Sequence, residues 1–414
     1  MSTALTIDHL GSQGDGVALS GNSQIFVPFT LPGERVTAAV GKNRADLLAV
    51  LDPAPERVVP ACRHFGTCGG CALQHMADPA YRAWKRDKVV AALKGRGIDA
   101  PVGDIVVCPL HSRRRVVFAV RRTERAMLLG YNQALSHQIV DIEECPISAP
   151  AIVAARDKLR DLARILANTG DAFRMAVTAT ETGLDIELRD AGKLTDAARH
   201  AASRLAIGAG FARVSVDGEI VIEPKKPVLM AGDVAVNPPP GAFAQAVAHA
   251  EGAMATLVIE HLRRAKNVAD LFCGWGTFAL RLAKRSQVHA VEADAPALAA
   301  LDRAFRFADG LKTVTTEKRD LFRRPLTFKE IDARFDGLVF DPPRAGAEDQ
   351  ARQIARSSVP YVAAVSCNPV TLARDLEILI SGGYALKSVT PVDQFLWSPH
   401  VEAVALLEKP KKRR

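Results

Sequence analysis

Several features of membrane and secreted proteins are missing from this sequence. Its 414 residues contain no run of about 18 uncharged apolar residues, so we expect no membrane-spanning helix. The first residues, MSTALTIDHLGSQGDG, show no basic start followed by an apolar stretch, so we expect no secretory signal. The seven cysteines are odd in number, which argues against a disulfide framework and favours metal binding or catalysis. Together these absences predict a cytoplasmic protein.

The chain carries more positive than negative charge. Lysine and arginine outnumber aspartate and glutamate by 54 to 46, which gives a net charge of +8. Part of the excess is concentrated in a basic tail at 409–414 and in a group of arginines, Arg113, Arg114, Arg115, Arg121 and Arg122. Each run alone is as typical of a solvated surface, but together with the motifs below they favour an anionic polymer as partner.

The length of the chain allows two or three domains, and its composition changes twice. Residues 1–58 contain five short strand-like segments separated by glycine turns, which indicates an OB-type barrel or another small β domain. Residues 59–237 begin with prolines and a cysteine-rich segment. They continue with a predicted helix at 81–96, and then mix strands with a helix at 151–167, as in an α+β domain.

Helices alternate with strands from residue 238 to 414. This alternation predicts an α/β domain with a mostly parallel, Rossmann-like sheet that is covered on both faces. We expect helices at 243–263 and 277–284, and strands at 267–272, 288–292, 336–340, 361–366, 385–391 and 401–407.

The segment NVADLFCGWGTFALRLAK runs from an apolar strand through a Gly-x-Gly turn into a helix. Gly274 and Gly276 allow a tight turn and a close approach of the backbone to a ligand. Glu292 ends the next strand, where a carboxylate can accept hydrogen bonds from both ribose hydroxyls; Asp294 is the competing acid and resembles a helix cap. Such a loop binds nucleosides in general, so S-adenosylmethionine, NAD, FAD and a turn without a ligand all stay open.

Two later strands end in residues of unusual chemistry. FDGLVFDPPRAG places Asp341 at the end of one strand, and VPYVAAVSCNP places Cys367 at the end of the next. Ligands of doubly wound sheets bind outside the carboxyl ends of the strands, so this position favours a nucleophile over a small buried cysteine. Asp-Pro-Pro also occurs in enzymes that methylate exocyclic amines of bases, where an aromatic residue follows. Here Arg344 follows, which argues against that reaction.

A cysteine at this edge suits methylation of carbon 5 of uracil, which is a poor nucleophile. A thiolate that adds to carbon 6 produces an enolate whose carbon 5 can attack a sulfonium methyl group, and a base must then remove the carbon 5 proton. The target base must leave its stack to reach these groups. In DQFLWSPHVEAVALLEK, Glu402 and His400 alternate on a predicted strand and are candidates for the base; a solvent-facing carboxylate on an edge strand is the alternative.

Three cysteines, Cys62, Cys68 and Cys71, lie in a short glycine-rich loop. Cys145 is the favoured source of a fourth thiolate, and Cys108 is the alternative. Four thiolates suit zinc or an iron–sulfur cluster. Zinc ribbons usually contain two C-x2-C pairs, whereas this chain has one pair and two unpaired cysteines. Its spacing is closer to that of clusters.

DLFCGWGTF, FDPPRAG, SCNP and HVE resemble, in the same order, the cofactor, substrate, nucleophile and base motifs of the bacterial RNA 5-methyluridine methyltransferase family. The resemblance spans nearly the whole chain. It implies that Cys367 is the nucleophile and Glu402 the general base. It also implies S-adenosylmethionine as cofactor, with contacts from Gln245, Phe272, Gly274, Gly276, Glu292, Asp320 and Asp341.

The amino-terminal half shares this resemblance. Residues 1–58 resemble the family's RNA-binding TRAM barrel, and FGTCGGCALQH at 65–75 resembles its cluster-binding segment, which implies a [4Fe–4S] cluster held by Cys62, Cys68, Cys71 and Cys145. Because the tRNA branch lacks the barrel, the implied partner is structured RNA, namely 23S rRNA, with tRNA as the alternative. No membrane and no obligate protein partner are implied. One departure is that Leu396 and Ser398 replace Pro and Thr in the family pattern D-x-F-P-x-T-x-H-x-E.

Three hypotheses about function follow. The leading one is an RNA uracil-5-methyltransferase. An iron–sulfur oxidoreductase with a dinucleotide at the glycine loop leaves residues 341–344 and 367–369 without a role. A non-catalytic RNA-binding protein on a decayed enzyme fold has no need of Cys367 and Glu402 together.

Overall fold

The computed structural model describes residues 2–21 and 23–410, so residues 411–414 of the basic tail lie outside the described residues. In the amino-terminal region, two antiparallel sheets, β1-β5-β6 and β2-β3-β4, share one small apolar core. The strands are β1 (Ser2–Thr6), β2 (His9–Leu10), β3 (Gly16–Ser20), β4 (Ser23–Val27), β5 (Arg35–Val40) and β6 (Ala45–Asp52). LTIDHL divides into β1 and β2 because the N–H of Ile7 bonds to Glu34 whereas that of Asp8 bonds to Val17 in the other sheet. The OB-type, TRAM-like barrel stays a prediction.

A mixed seven-stranded sheet, β13-β12-β11-β10-β7-β8-β9, organises the central region and shares a buried core with α3 and α4. The elements are α1 (Asp78–Lys94), β7 (Arg115–Arg122), β8 (Met127–Asn132), β9 (Ile139–Asp141), α2 (Pro150–Ala154), α3 (Arg156–Leu166), β10 (Phe173–Thr180), β11 (Gly183–Arg189), α4 (Asp196–Ala209), β12 (Arg213–Val216) and β13 (Glu219–Ile222), followed by a hairpin of β14 (Leu229–Ala231) and β15 (Val234–Val236).

In the central region one expectation was wrong in detail and one strand was not predicted. The predicted helix at 151–167 is two helices, α2 and α3, which meet at Ala155. The sequence analysis also missed β8, because Gly130 weakens its strand pattern. A glycine is required there, since a Cβ atom at Gly130 would lie 1.9 Å from the carbonyl oxygen of Val140 on β9.

The carboxy-terminal region is a Rossmann-like α/β domain, which confirms the predicted class. Its sheet has the order β18-β17-β16-β19-β20-β22-β21, in which β22 alone runs antiparallel to its neighbours, and apolar cores cover both faces. The elements are α5 (Ala248–His261), β16 (Asn267–Leu271), α6 (Ala279–Leu282), β17 (Gln287–Glu292), α7 (Ala295–Arg306), β18 (Val314–Lys318), α8 (Phe328–Arg334), β19 (Gly337–Phe340), α9 (Glu348–Arg356), β20 (Tyr361–Ser366), α10 (Pro369–Ser381), β21 (Ala385–Val392) and β22 (Glu402–Glu408).

The helix predicted at 243–263 begins only at Ala248. Its first five predicted residues stay non-helical because their backbone groups are used elsewhere. The carbonyl oxygen of Ala246 accepts the N–H of Arg114, and the N–H of Val247 bonds to the side chain of Gln394. A helix would need the same groups internally, so the segment that carries Gln245 is a loop. Within the described residues, no helix is long and apolar enough to cross a membrane.

Candidate active site

The carboxyl ends of β16, β17, β19 and β20 meet at one edge of the carboxy-terminal sheet. Between β16 and β19 the strand order reverses, which is where doubly wound sheets bind ligands. The loop after β16 contains three residues in the left-handed region, Phe272 at φ 60°, Gly274 at φ 54° and Gly276 at φ 98°. The φ of Gly276 favours glycine at this turn, and a Cβ atom there would also lie 2.4 Å from Leu301 Cδ1. The backbone of Phe272 is strained in the left-handed region, and such strain is typical of functional sites.

Acidic residues flank this glycine loop. Glu292, at the end of β17, accepts the N–H of Gly274 at 3.0 Å on one oxygen and those of Ala293 and Asp294 on the other. Oε2 accepts only the Gly274 N–H and can accept one further hydrogen bond, so the carboxylate fits a ribose hydroxyl as donor. Asp294 takes the N-cap position of α7 as expected, without a side-chain capping bond.

Asp320 follows β18 and accepts the N–H of Phe322 at 3.0 Å. The ring of Phe322 lies 5.4 Å from that of Phe272, so the two rings place apolar surface beside the loop acid. This combination of a carboxylate and aromatic carbon suits a purine ring. The sequence analysis missed β18, although it selected Asp320 from the resemblance.

Cys367 follows the last residue of β20, and its loop is joined to the Asp341 loop. The side chain of Asn368 caps α10 by accepting the N–H of Val370, and it donates to the carbonyl oxygen of Arg344 at 3.2 Å. The N–H of Asn368 bonds to Ser366 at 3.1 Å. The hydrogen bond from Asn368 to Arg344 therefore links the loop of the nucleophile candidate to the Asp-Pro-Pro-Arg segment.

Glu402 begins β22, the antiparallel strand. Ser366, the residue before Cys367, pairs with Ala403, the residue after Glu402, at the end of this ladder, and the charge of Glu402 raises the pKa of the Cys367 thiol, so the two side chains are close. The carboxyl group of Glu402 is 3% exposed, and its Oε2 atom is buried with no hydrogen-bond partner. A buried carboxyl oxygen without a partner beside a cysteine is the arrangement that a proton acceptor for a bound substrate needs.

A second pair of carboxyl and amide groups lies next to Glu402. Gln245 donates from Nε2 to Asp341 Oδ2 at 3.2 Å, and its Oε1 accepts a hydrogen bond from Gln394 at 2.7 Å. Gln394 also donates to Glu402 Oε1 at 2.9 Å. Sequence reasoning missed Gln394, because the family pattern D-x-F leaves the position between Asp393 and Phe395 undefined. A glutamine amide is also neither an acid nor a base, so it does not stand out as a catalytic candidate.

Burial raises the pKa of both site carboxyl groups, Asp341 and Glu402, and their mutual repulsion raises that of Glu402 further. Burial and these two acids also raise the pKa of the Cys367 thiol to about 11, and Arg344 opposes them. Strongly perturbed acids and a cysteine at one sheet edge are typical of active sites.

Asp270 is a further acid that sequence reasoning missed. It lies on β16, is fully buried, and neither of its carboxyl oxygens has a hydrogen-bond partner. Burial raises its pKa well above the usual range, and Asp341 and Glu292 add to the effect. The sequence signal that could have identified Asp270 is an acidic residue within the apolar strand segment VADL.

The four cysteines implied as cluster ligands, Cys62, Cys68, Cys71 and Cys145, line one cavity of about 410 Å³. Their thiols are close enough that Cys145 raises the pKa of each of the other three. Cys108 lies elsewhere, buried in the core of the carboxy-terminal domain. Within residues 2–21 and 23–410, no group of three or more His, Cys, Asp or Glu side chains is arranged to hold a metal ion.

His400, the other base candidate, lines this cysteine cavity together with Arg113 and Phe395. Burial and four nearby cations lower its pKa to about 4. The structure therefore separates the two candidates, with Glu402 beside Cys367 and His400 facing the cysteines.

Comparisons with known proteins agree with this geometry. The model of the tRNA (uracil-5-)-methyltransferase family matches residues 232–410. An uncharacterized RNA methyltransferase of Mesorhizobium japonicum is 64% identical over 414 residues, which cover 100% of both chains. A 23S rRNA (uracil(1939)-C(5))-methyltransferase of Halomonas elongata is 32% identical over 443 residues, which cover 99% of this chain and 90% of that relative. The chain belongs to the RNA uracil-5-methyltransferase family.

Membership in the RNA uracil-5-methyltransferase family supports S-adenosylmethionine among the cofactors that the glycine loop left open. A solved structure has the same fold. It is the tRNA (uracil-54, C5)-methyltransferase of Pyrococcus abyssi in complex with S-adenosyl-L-homocysteine, with a TM-score of 0.76 and 23% identity over 98% of this chain and 99% of that chain.

Proposed function

We propose that this protein methylates carbon 5 of a uridine in RNA through a covalent adduct with Cys367, and that its substrate is 23S rRNA. One observation supports the mechanism: Cys367 and Glu402 flank the last residue pair of the β20–β22 ladder, Ser366 with Ala403, and Glu402 has a buried oxygen without a hydrogen-bond partner. The relative from Halomonas elongata that acts on 23S rRNA aligns with 99% of this chain, which supports the choice of RNA.

The Cys367 thiolate first forms a bond to carbon 6 of uracil, and the electron pair of the C5=C6 double bond moves into an enolate. Carbon 5 then attacks a methyl group. S-adenosylmethionine, when bound, would supply that methyl group as an electrophile: the methyl–sulfur bond breaks, its electron pair stays on the sulfur, and the neutral thioether S-adenosylhomocysteine leaves. We assign the binding of the cofactor to Gln245, Phe272, Gly274, Gly276, Glu292, Asp320 and Asp341.

Glu402 acts in the last step. Its Oε2 atom takes the proton from carbon 5, the freed electron pair restores the C5=C6 double bond, and the bond from carbon 6 to Cys367 Sγ breaks to release the thiolate. The raised pKa of Glu402 matches this role, because a carboxylate that titrates closer to neutrality is a stronger base.

Two variants and one substrate analogue test this order of steps. The Cys367→Ala variant is expected to lose both methylation and any covalent RNA adduct, because no enolate forms without the thiolate. The Glu402→Gln variant is expected to transfer the methyl group and then accumulate a methylated protein–RNA adduct. RNA with 5-fluorouridine should trap the wild-type enzyme in the same way, since fluorine does not leave as a proton. Denaturing gels with labelled cofactor show all three results.

Two outcomes would contradict the mechanism. Methylation of uracil by Cys367→Ala would rule out the nucleophile. Normal turnover by Glu402→Gln, with adduct accumulation in His400→Ala instead, would move the base to His400. Mapping of 5-methyluridine in total RNA with and without this gene identifies the substrate; loss of a tRNA site would replace 23S rRNA by tRNA.

We also propose that Cys62, Cys68, Cys71 and Cys145 hold a [4Fe–4S] cluster. The four thiols are not arranged around a single ion in the described residues, but they line one cavity, and the N–H of Gly70 donates a hydrogen bond to Cys68 Sγ at 3.4 Å, which would suit a thiolate ligand of a cluster. Methyl transfer needs no electron, so the cluster would serve structure or RNA binding.

A further inference from the structure

A continuous chain of hydrogen bonds joins the two acids of the active site through two glutamines. It runs from Asp341 to Gln245, from Gln245 to Gln394, and from Gln394 to Glu402, with donor–acceptor distances of 3.2, 2.7 and 2.9 Å. Gln394 is the inner member next to Glu402 and is 2% exposed. The proposed mechanism assigns it no role.

The orientation of the Gln394 amide is determined by its three partners. Its Oε1 accepts the N–H of Val247 at 3.3 Å, and its two N–H groups point to the oxygens of Gln245 and Glu402. In the flipped orientation an NH2 group would face the N–H of Val247, and an acceptor would face two acceptors. Both N–H groups of the Gln394 amide therefore donate hydrogen bonds, and the one to Glu402 ends on Oε1.

We infer that Gln394 is a positioning residue that holds Glu402 with Oε1 engaged and Oε2 free to accept the carbon 5 proton. This inference rests on the proposed function. The two oxygens of Glu402 are otherwise equivalent, and rotation of the carboxyl group would exchange them. The hydrogen bond from Gln394 removes that freedom, which reduces the entropy lost when the proton is transferred.

The same hydrogen bond favours the ionised form of Glu402, which is the form that can act as a base. Burial and the nearby Asp341 raise the pKa of Glu402, while the amide of Gln394 lowers it. The Cys367 thiol also faces Glu402, and the charge of Glu402 raises the pKa of that thiol. Loss of the amide should leave Glu402 protonated up to a higher pH.

The Gln394→Met variant tests the inference, because methionine has a similar length but no donor. In the full-length enzyme with unmodified RNA, we expect breakdown of the methylated adduct to slow roughly 10- to 100-fold, as for loss of a hydrogen bond to a charged group. The pH at which breakdown becomes fast should also rise. The rate of trapping by 5-fluorouridine RNA, which precedes proton removal, should change little.

The matched control is Gln350→Met. Gln350 is an equally buried glutamine whose amide bonds to the backbone of Leu326, away from the active site. This variant should lower stability without adduct accumulation or a change in the pH profile. The control thus distinguishes the general effect of removing a buried amide from the specific effect of removing the Gln394 amide.

The outcomes distinguish the inference from the function on which it rests. If Glu402→Gln accumulates adduct but Gln394→Met resolves it at the wild-type rate and pH, Gln394 does not position the base. If trapping and breakdown slow equally in Gln394→Met, its role is general packing and the inference is also wrong. If Glu402→Gln itself accumulates no adduct, the proposed function fails first.

Discussion

Lys85 joins the helix that follows the cysteine loop to the segment that leads to Glu402. Its ammonium group donates to Asp393 Oδ1 at 2.8 Å and to the carbonyl oxygens of Phe395 and His400. The side chains of Lys85 and Asp393 are 0% and 2% exposed. Lys85→Met would leave the Asp393 carboxylate buried with Tyr81 as its remaining hydrogen-bond partner. Removal of one member of a buried pair costs about 3–5 kcal/mol, so we expect a loss of that order in the free energy of unfolding.

Urea unfolding monitored by tryptophan fluorescence measures this loss, since Trp397 lies in the affected segment. The backbone N–H of Trp397 donates to the hydroxyl of Tyr81 at 2.7 Å. The matched control is Lys284→Met, which removes a surface pair with Asp233, whose side chains are 38% and 71% exposed. Exposed pairs contribute at most about 1 kcal/mol. Equal losses in the two variants would refute the reasoning, because burial would then have no effect on the value of the pair.

Burial lowers the pKa of His75 to about 4, so between pH about 4 and about 6.5 the unfolded chain binds more protons at this residue than the folded protein does. His75 should therefore lower the free energy of unfolding by about 3 kcal/mol as the pH falls through this window, and His75→Phe should remove that share of the pH dependence measured by urea unfolding. Protein purified without oxygen should contain about four irons per chain by metal analysis. Iron should be lost in the serine variants of Cys62, Cys68, Cys71 and Cys145 but not in Cys108→Ser, and stoichiometric zinc instead of iron would exclude the cluster. Deletion of residues 1–58 should weaken RNA binding, measured across salt concentrations, more than it lowers turnover at saturating RNA; unchanged affinity would remove the RNA-binding role of this region.

The arrangement of the carboxy-terminal sheet was largely predictable. Alternating helices and strands indicate a parallel sheet, and the carboxyl ends of parallel strands lie at one edge. Asp341, Cys367 and the glycine loop could therefore be placed together before any contact was known. The missed strand β18, VTTEK, has a polar sequence, so its hydrophobic pattern was too weak to predict it.

The amino-terminal half was less predictable, because its pairings join segments that are distant in sequence. The fourth cysteine is an example. The sequence favoured Cys145 and kept Cys108 as the alternative, and the folded chain puts Cys145 in the cavity and Cys108 in an apolar core. Chemical type gives a list of candidate ligands, whereas long-range packing selects among them.

By itself the sequence determined the class of the carboxy-terminal domain, the glycine turn and the set of reactive side chains, because these depend on local periodicity and residue chemistry. Only the tertiary structure decided which of these side chains are neighbours. Glu402 lies beside Cys367 because β22 pairs antiparallel with β20, while His400, two residues earlier, faces the cysteine cavity. Gln394 contacts Gln245 and Glu402 through the packing of a loop against the start of α5. Neither relation depends on local sequence, since the partners meet only when distant segments pack together.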